Sequence, residues 1–253
     1  EIMPSLVGSE MCIRDRLGAN GANYKALEFC GDGVATLSVE ERMTITNMVI
    51  ELGGKCGLMP CDDTLREWLH GRVEGEIEGV AADDDAVYCQ TVEVDLDKLC
   101  PQVAKPHKVD NVSPIAEVEG TPVQHAIIGT CTNGRIEDLE VAARILDGKK
   151  IAHGMTLTIS PASKAVYIEA IHRGYVETFL RAGTTIAIPG CSGCSGGAYV
   201  GIPADGEAVI TTANRNFKGR LGNANSFLYL ASPATVAASA LTGCIEDSRN
   251  YVR

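Results

Sequence analysis

Three cysteines and two arginines carry most of the chemistry this sequence offers. Cys191 and Cys194 stand in "PGCSGC", directly after a short apolar run, and Cys131 stands in "GTCTNG" after another. Two intervening residues let a pair of thiols turn toward one centre. A CxxC pair therefore suits a redox dithiol, half of a zinc site, or two ligands of an iron–sulfur cluster. A structural zinc wants four protein ligands, and neither a second CxxC nor a close Cys/His pair accompanies this one. Cys131 as a third thiol suits a centre with one open corner, since a four-iron cluster on three thiolates leaves one iron free to act as a Lewis acid. Positive charge comes from "TTANRNFKGRLG", where Arg215 and Arg220 flank a short polar loop. A guanidinium fork matches a carboxylate bidentately, so the two could clamp a di- or tricarboxylate; a pair of solvated surface arginines is the alternative.

Elements that could position these residues alternate along the second half of the chain. Residues 125–130 and 155–160 read as buried strands, 184–188 and 207–212 as further strands. Between them the spacing predicts a helix over 135–146, with Ile136, Leu139, Ala143 and Leu146 on one face, and a helical region over 162–182 broken at Gly174. The β-α-β-α order implies a mostly parallel sheet, and ligands of such sheets gather beyond the carboxyl ends of the strands. Cys131, Cys191 and the arginine loop all follow strands at that edge.

Before this lies a different stretch. Ser38 three residues before Glu41 is a capping-box pattern, and Met43, Ile45, Met48, Val49 and Leu52 give the helix that follows an apolar face ending at glycines. A second helix is predicted over 62–70 and a half-buried strand over 91–96. Residues 100–114 hold three prolines and read as a linker, with the link itself put at 105–114. The expectation is an α/β protein of two α/β domains, 18–104 and 115–253, both with mostly parallel sheets. Residues 1–17 are read as a tail: "SLVGSEMCIRDR" looks like translated adapter sequence, the gene is expected to be truncated, and Cys12 is set aside.

Composition narrows the function classes. The 253 residues are 45% hydrophobic and 22% charged, enough for a real core, and the net charge of −11 disfavours a nucleic-acid partner. No apolar run approaches the ~18 residues a membrane span requires, so no membrane partner is expected. Ten cysteines without a leading apolar signal segment point to a reducing, cytoplasmic setting. The seven beyond the three in question, Cys12, Cys30, Cys56, Cys61, Cys89, Cys100 and Cys244, are read as packing residues.

"YKALEF", "GTCTNGRIEDL", "PGCSGC", "TTANRNFKGRLG" and "LYLASPATVAASALTGCIED" together resemble the aconitase superfamily, in its branch of archaeal-type 3-isopropylmalate dehydratase large subunits. The likeness runs over residues 18–252. It implies a [4Fe-4S] cluster on Cys131, Cys191 and Cys194, substrate contacts from Asn214, Arg215 and Arg220, and a catalytic Glu28 near the cluster. The reaction implied is reversible dehydration of a small 2-hydroxy dicarboxylate. Isopropylmalate in leucine biosynthesis is the favoured substrate, with homoaconitate, 2-methylmalate and dimethylmalate as alternatives. The base implied is a serine on the swivelling domain of a small-subunit partner. Relatives commonly carry a proline between the paired cysteines and a histidine soon after, where this chain has Ser192, Gly193, Ala198 and Tyr199. They also carry a preceding domain with catalytic His and Asp residues, so the isolated chain is expected to be inactive. The reading from another class is a non-catalytic zinc or dithiol redox module.

Overall fold

The computed structural model describes residues 13, 16–194 and 200–251. Most of the stretch read as a tail, together with Cys12, Ala198 and Tyr199, lies outside them.

The first part of the chain is built on a small parallel pair, β1 (Ala26–Glu28) and β2 (Cys56–Leu58), with Leu27 opposite Gly57. A short helix α1 (Asp32–Ala35) follows β1, and then α2 (Val39–Met48) continues through a 3-10 turn, Val49–Leu52, to Gly53 in the left-handed conformation. Ser38 and Glu41 form the expected reciprocal cap, and Ile45, Met48, Val49 and Leu52 are buried. The next helix, α3 (Asp63–Leu69), is tied to α2 by buried Arg42, which grips both Asp62 carboxylate oxygens at 2.7 Å and also donates to the carbonyls of Leu37 and Val34.

The strand expected over 91–96 does not form. Its alternating valines suit a half-buried strand, but among the described residues no neighbouring strand accepts the backbone; Val92 is exposed and residues 96–98 make a 3-10 turn. The stretch read as a linker holds two strands instead, β3 (Gln102–Ala104) and β4 (Val112–Pro114), which pair antiparallel. Each is three residues long and set among Pro101, Pro106 and Pro114, so no period could announce them.

The remainder is a seven-stranded sheet in the order β4-β3-β9-β8-β5-β6-β7, completed by β5 (His125–Gly129), β6 (Thr156–Ser160), β7 (Thr185–Ile186), β8 (Ala208–Thr211) and β9 (Phe227–Leu230). The run β9-β8-β5-β6-β7 is parallel, and β3 meets β9 antiparallel. Helices α4 (Thr130–Asn133), α5 (Ile136–Leu146), α6 (Lys164–His172), α7 (Tyr175–Ala182) and α8 (Pro233–Thr242) connect the strands; Gly174, with φ of 78°, divides α6 from α7 as expected. Alternation along the strands separates two cores. Ala126, Ile128, Ala208 and Ile210 join Leu139, Leu146 and Val236 on the helix-covered face, while Ile127 and Val209 meet Leu221 and Leu228 on the other. From β5 the chain winds outward through β6 and β7, then returns to place β8 on the opposite flank. The topological switch therefore falls between β5 and β8, where a parallel sheet opens a crevice at its carboxyl edge.

Candidate active site

Cys131 leaves β5 through a turn that only glycine allows. Gly129 has φ of 123°, and a Cβ there would stand 1.9 Å from the carbonyl oxygen of Ser160 at the end of β6. Thr130 follows with φ of 74°, uncommon for a branched residue, and is buried, while Cys131 itself is exposed. Two hydrogen-bonded groups from the end of β8 hold this turn. Thr212 Oγ1 accepts from Gly129 N at 2.8 Å and donates to its carbonyl, and Asn133 Nδ2 donates to the Thr212 carbonyl at 2.9 Å.

Cys191 and Cys194 sit on the loop after β7. Residues 192–194 turn as a 3-10 helix, with Cys194 N donating to the Cys191 carbonyl, and Gly193 packs so tightly that a Cβ would lie 2.7 Å from Ile127 Cγ2. The thiols of Cys131 and Cys191 lie within hydrogen-bonding reach. The Cys131 charge, burial and Cys194 push the Cys191 thiol up, with Arg220 pulling the other way. Arg220 Nη2 donates to Cys194 Sγ at 2.7 Å. Among the described residues no three His, Cys, Asp or Glu side chains converge as a site for a single metal ion.

Asn214 and Arg215 occupy the loop after β8, as expected. Their partners come from α2 and its 3-10 extension, which sequence reasoning took for a packing element. Arg215 Nε donates to Glu51 Oε1 at 2.7 Å, and Asn47 Oδ1 accepts from Asn214 Nδ2 at 2.5 Å and from Thr132 Oγ1 at 3.3 Å. One turn earlier, Thr44 Oγ1 lies 3.2 Å from Asn133 Oδ1. Thr44, Asn47 and Glu51 follow helical spacing, so one polar edge of this helix serves both the Cys131 turn and the arginine loop. That polar i, i+3, i+7 edge was the available sequence signal. Asn214 Oδ1 and Arg220 Nε are buried without a hydrogen-bond partner among the described residues.

Glu28 stands elsewhere in the contact network. Its carboxylate accepts from the exposed Tyr88 hydroxyl at 2.5 Å, and no described hydrogen bond ties it to the three cysteines. The packing role expected of the other cysteines does not hold for Cys30, Cys56 and Cys89, which are exposed; Cys61, Cys100 and Cys244 are half-buried. The exposed three fall in the short β-pair or in irregular stretches, where little core covers them.

The fold and these loops belong to a known class: residues 11–122 and 116–243 match the aconitase family (aconitate hydratase), and the chain belongs to that family. It is 51% identical over 238 residues to 3-isopropylmalate dehydratase large subunit 2 of Archaeoglobus fulgidus, covering 93% of this chain and 57% of the relative. It is 51% identical over 234 residues to the "Probable methanogen homoaconitase large subunit" of Methanosarcina mazei, covering 92% and 59%. The 3-isopropylmalate dehydratase large subunit 1 of Thermotoga maritima is 47% identical over 240 residues, covering 93% and 57%. The chain thus spans somewhat more than half the length of the curated relatives it matches.

Proposed function

We propose that this chain is the cluster-bearing part of a hydro-lyase large subunit that interconverts 2- and 3-isopropylmalate by dehydration and rehydration. The observation that carries the reading is the gathering of Cys131, Cys191 and Cys194 with Asn214, Arg215 and Arg220 at the carboxyl edge beside the switch point, in a chain so similar to proteins of that name. The donor set fits a [4Fe-4S] cluster on those three cysteines. It consists of three thiols on loops at one sheet edge, with the Cys131 and Cys194 thiols both acting on Cys191, and a cluster takes each thiolate at a separate iron. When bound, the cluster supplies a Lewis acid that eases departure of the substrate hydroxyl.

The protein's own groups do the rest of what can be assigned. Arg215, held from behind by Glu51, presents its remaining guanidinium donors to a substrate carboxylate, and Arg220 adds positive charge beside Cys194. Asn214 is fixed by Asn47 and turns an unpartnered oxygen inward, an acceptor suited to a hydroxyl. The polar edge of α2 keeps the cysteine turn and the arginine loop in one register, so that carboxylate and leaving group are oriented together. The proton from the neighbouring carbon is assigned to a serine of a small-subunit partner, and no serine of this chain takes that role. Among the described residues no helix is long and apolar enough to cross a membrane.

Hydration of isopropylmaleate tests the proposal in three mixtures: this chain alone, this chain with a small subunit, and a large subunit extended to the relatives' full length with a small subunit. Turnover in the third mixture alone is expected. Turnover of homoaconitate in preference to isopropylmalate by that third mixture would move the substrate to the Methanosarcina relative's named activity.

A further inference from the structure

Arg220 is engaged with a candidate ligand on one arm and buried on the other. Its Nη2 donates to Cys194 Sγ at 2.7 Å, its guanidinium carbon lies 5.3 Å from the centroid of the Phe217 ring, and its Nε is buried without a partner. The three thiols are not equivalent in this respect. Cys131 Sγ lies 3.7 Å from the hydroxyl of its neighbour Thr132 and within reach of the Cys191 thiol, both uncharged donors, while Cys194 takes a cationic one. A guanidinium that spends Nη2 on sulfur keeps other donors for a carboxylate, so a substrate contact alone does not account for this arm.

We propose that Arg220 is a positioning residue for the cluster: by donating to Cys194 Sγ it sets how firmly a cluster is retained and at what potential it is reduced. The inference rests on the reading of Cys131, Cys191 and Cys194 as cluster ligands. A charged donor on a ligating sulfur orients it and draws off part of its negative charge, which steadies the ligand against loss and favours an added electron. Phe217 limits the swing of the guanidinium, so the donor is held on the sulfur side.

The chain is reconstituted anaerobically with ferrous iron and sulfide as wild type, Arg220→Lys and Arg220→Gln. Iron release to a ferrous chelator is then timed, and the reduction potential is found by titration followed by electron paramagnetic resonance. Arg220→Gln is expected to release iron about 10- to 100-fold faster than wild type. Its potential is expected to shift negative because a positive charge is gone, and Arg220→Lys should fall between the two. Should Arg220→Gln fail to fold by circular dichroism, Arg220→Lys decides, with faster release than wild type expected. Equal release rates and potentials in the folded variants and wild type would overturn the role of Arg220. If wild type itself holds no iron and sulfide, the cluster reading fails, and this inference with it.

Discussion

Glu51 Oε1 and Arg215 Nε are 2.7 Å apart, joining the 3-10 end of the α2 helix to the loop that follows β8. Glu51 is nearly enclosed while Arg215 is about two-fifths exposed, so the carboxylate is the fixed partner and the arginine the one aimed outward. The pair fixes one edge of the guanidinium and leaves its remaining donors for the substrate carboxylate of the proposed function.

Glu51→Gln keeps the shape of the side chain and removes its charge. In a complete enzyme this should lower kcat/KM on the order of 100-fold, the scale of an ångström's misplacement of a binding group, with iron content unchanged. Steady-state kinetics beside an iron assay checks it. Unchanged kinetics would leave Glu51 a structural residue.

Arg215→Lys keeps the charge and loses the fork. Because Glu51 would still pair with the ammonium, the fold should survive while KM for the dicarboxylate rises at least about tenfold, the scale of one charge-assisted hydrogen bond. Comparing KM and kcat for the variant separates lost binding from lost chemistry, and an unaltered KM would return Arg215 to the surface-charge reading.

Gly129→Ala should cost the site more than the fold's periphery would suggest. Its φ of 123° and the 1.9 Å approach of a Cβ to the Ser160 carbonyl mean that the ends of β5 and β6 must part, which carries Cys131 with them. Poor expression, or a folded protein that retains less iron after reconstitution, is the expected result. A variant matching wild type in melting temperature and iron would show that this turn has room to adjust.

Asp138 gives the stability a pH dependence. Packing pushes its carboxyl up to about 7, against the hydrogen bond from Arg135 N, and the neighbouring charges of Glu137 and Glu41 push the same way. The folded state therefore holds a proton that the unfolded chain releases near its ordinary value of 3.8, so this group's stabilisation is full at low pH and falls as pH rises toward about 7. Glu41 and Glu137, both raised by burial first, add the same sign. Asp138→Asn keeps the helix cap and cannot ionise. Its melting temperature should gain on that of wild type as pH rises from about 4 to about 7, and parallel curves would count against a neutral Asp138.

Local rules made much of this legible. The Ser38/Glu41 cap, the apolar face of 136–146 and the break at Gly174 each depend on contacts within a few residues, and each is present. The cysteine positions were legible for a related reason, since loops after buried strands of a parallel sheet share one edge. What was hidden depends on partners far along the chain. β3 and β4 exist because they pair with each other and β3 also meets β9, and Val92 stays exposed because no described strand pairs with its stretch. Asn47 and Glu51 looked like the solvent side of a packed helix until Asn214 and Arg215, more than 160 residues later, were brought to them.

The proposed function needs three thiolates, and only these three, to hold a four-iron cluster in this chain. Counting iron and sulfide after anaerobic reconstitution of single Cys→Ala variants tests it most directly. Cys131→Ala, Cys191→Ala and Cys194→Ala should each fail to keep a stable cluster, because each removes one of the three ligands, while Cys56→Ala and Cys244→Ala should load like wild type. A full complement of iron and sulfide in Cys131→Ala would contradict the account.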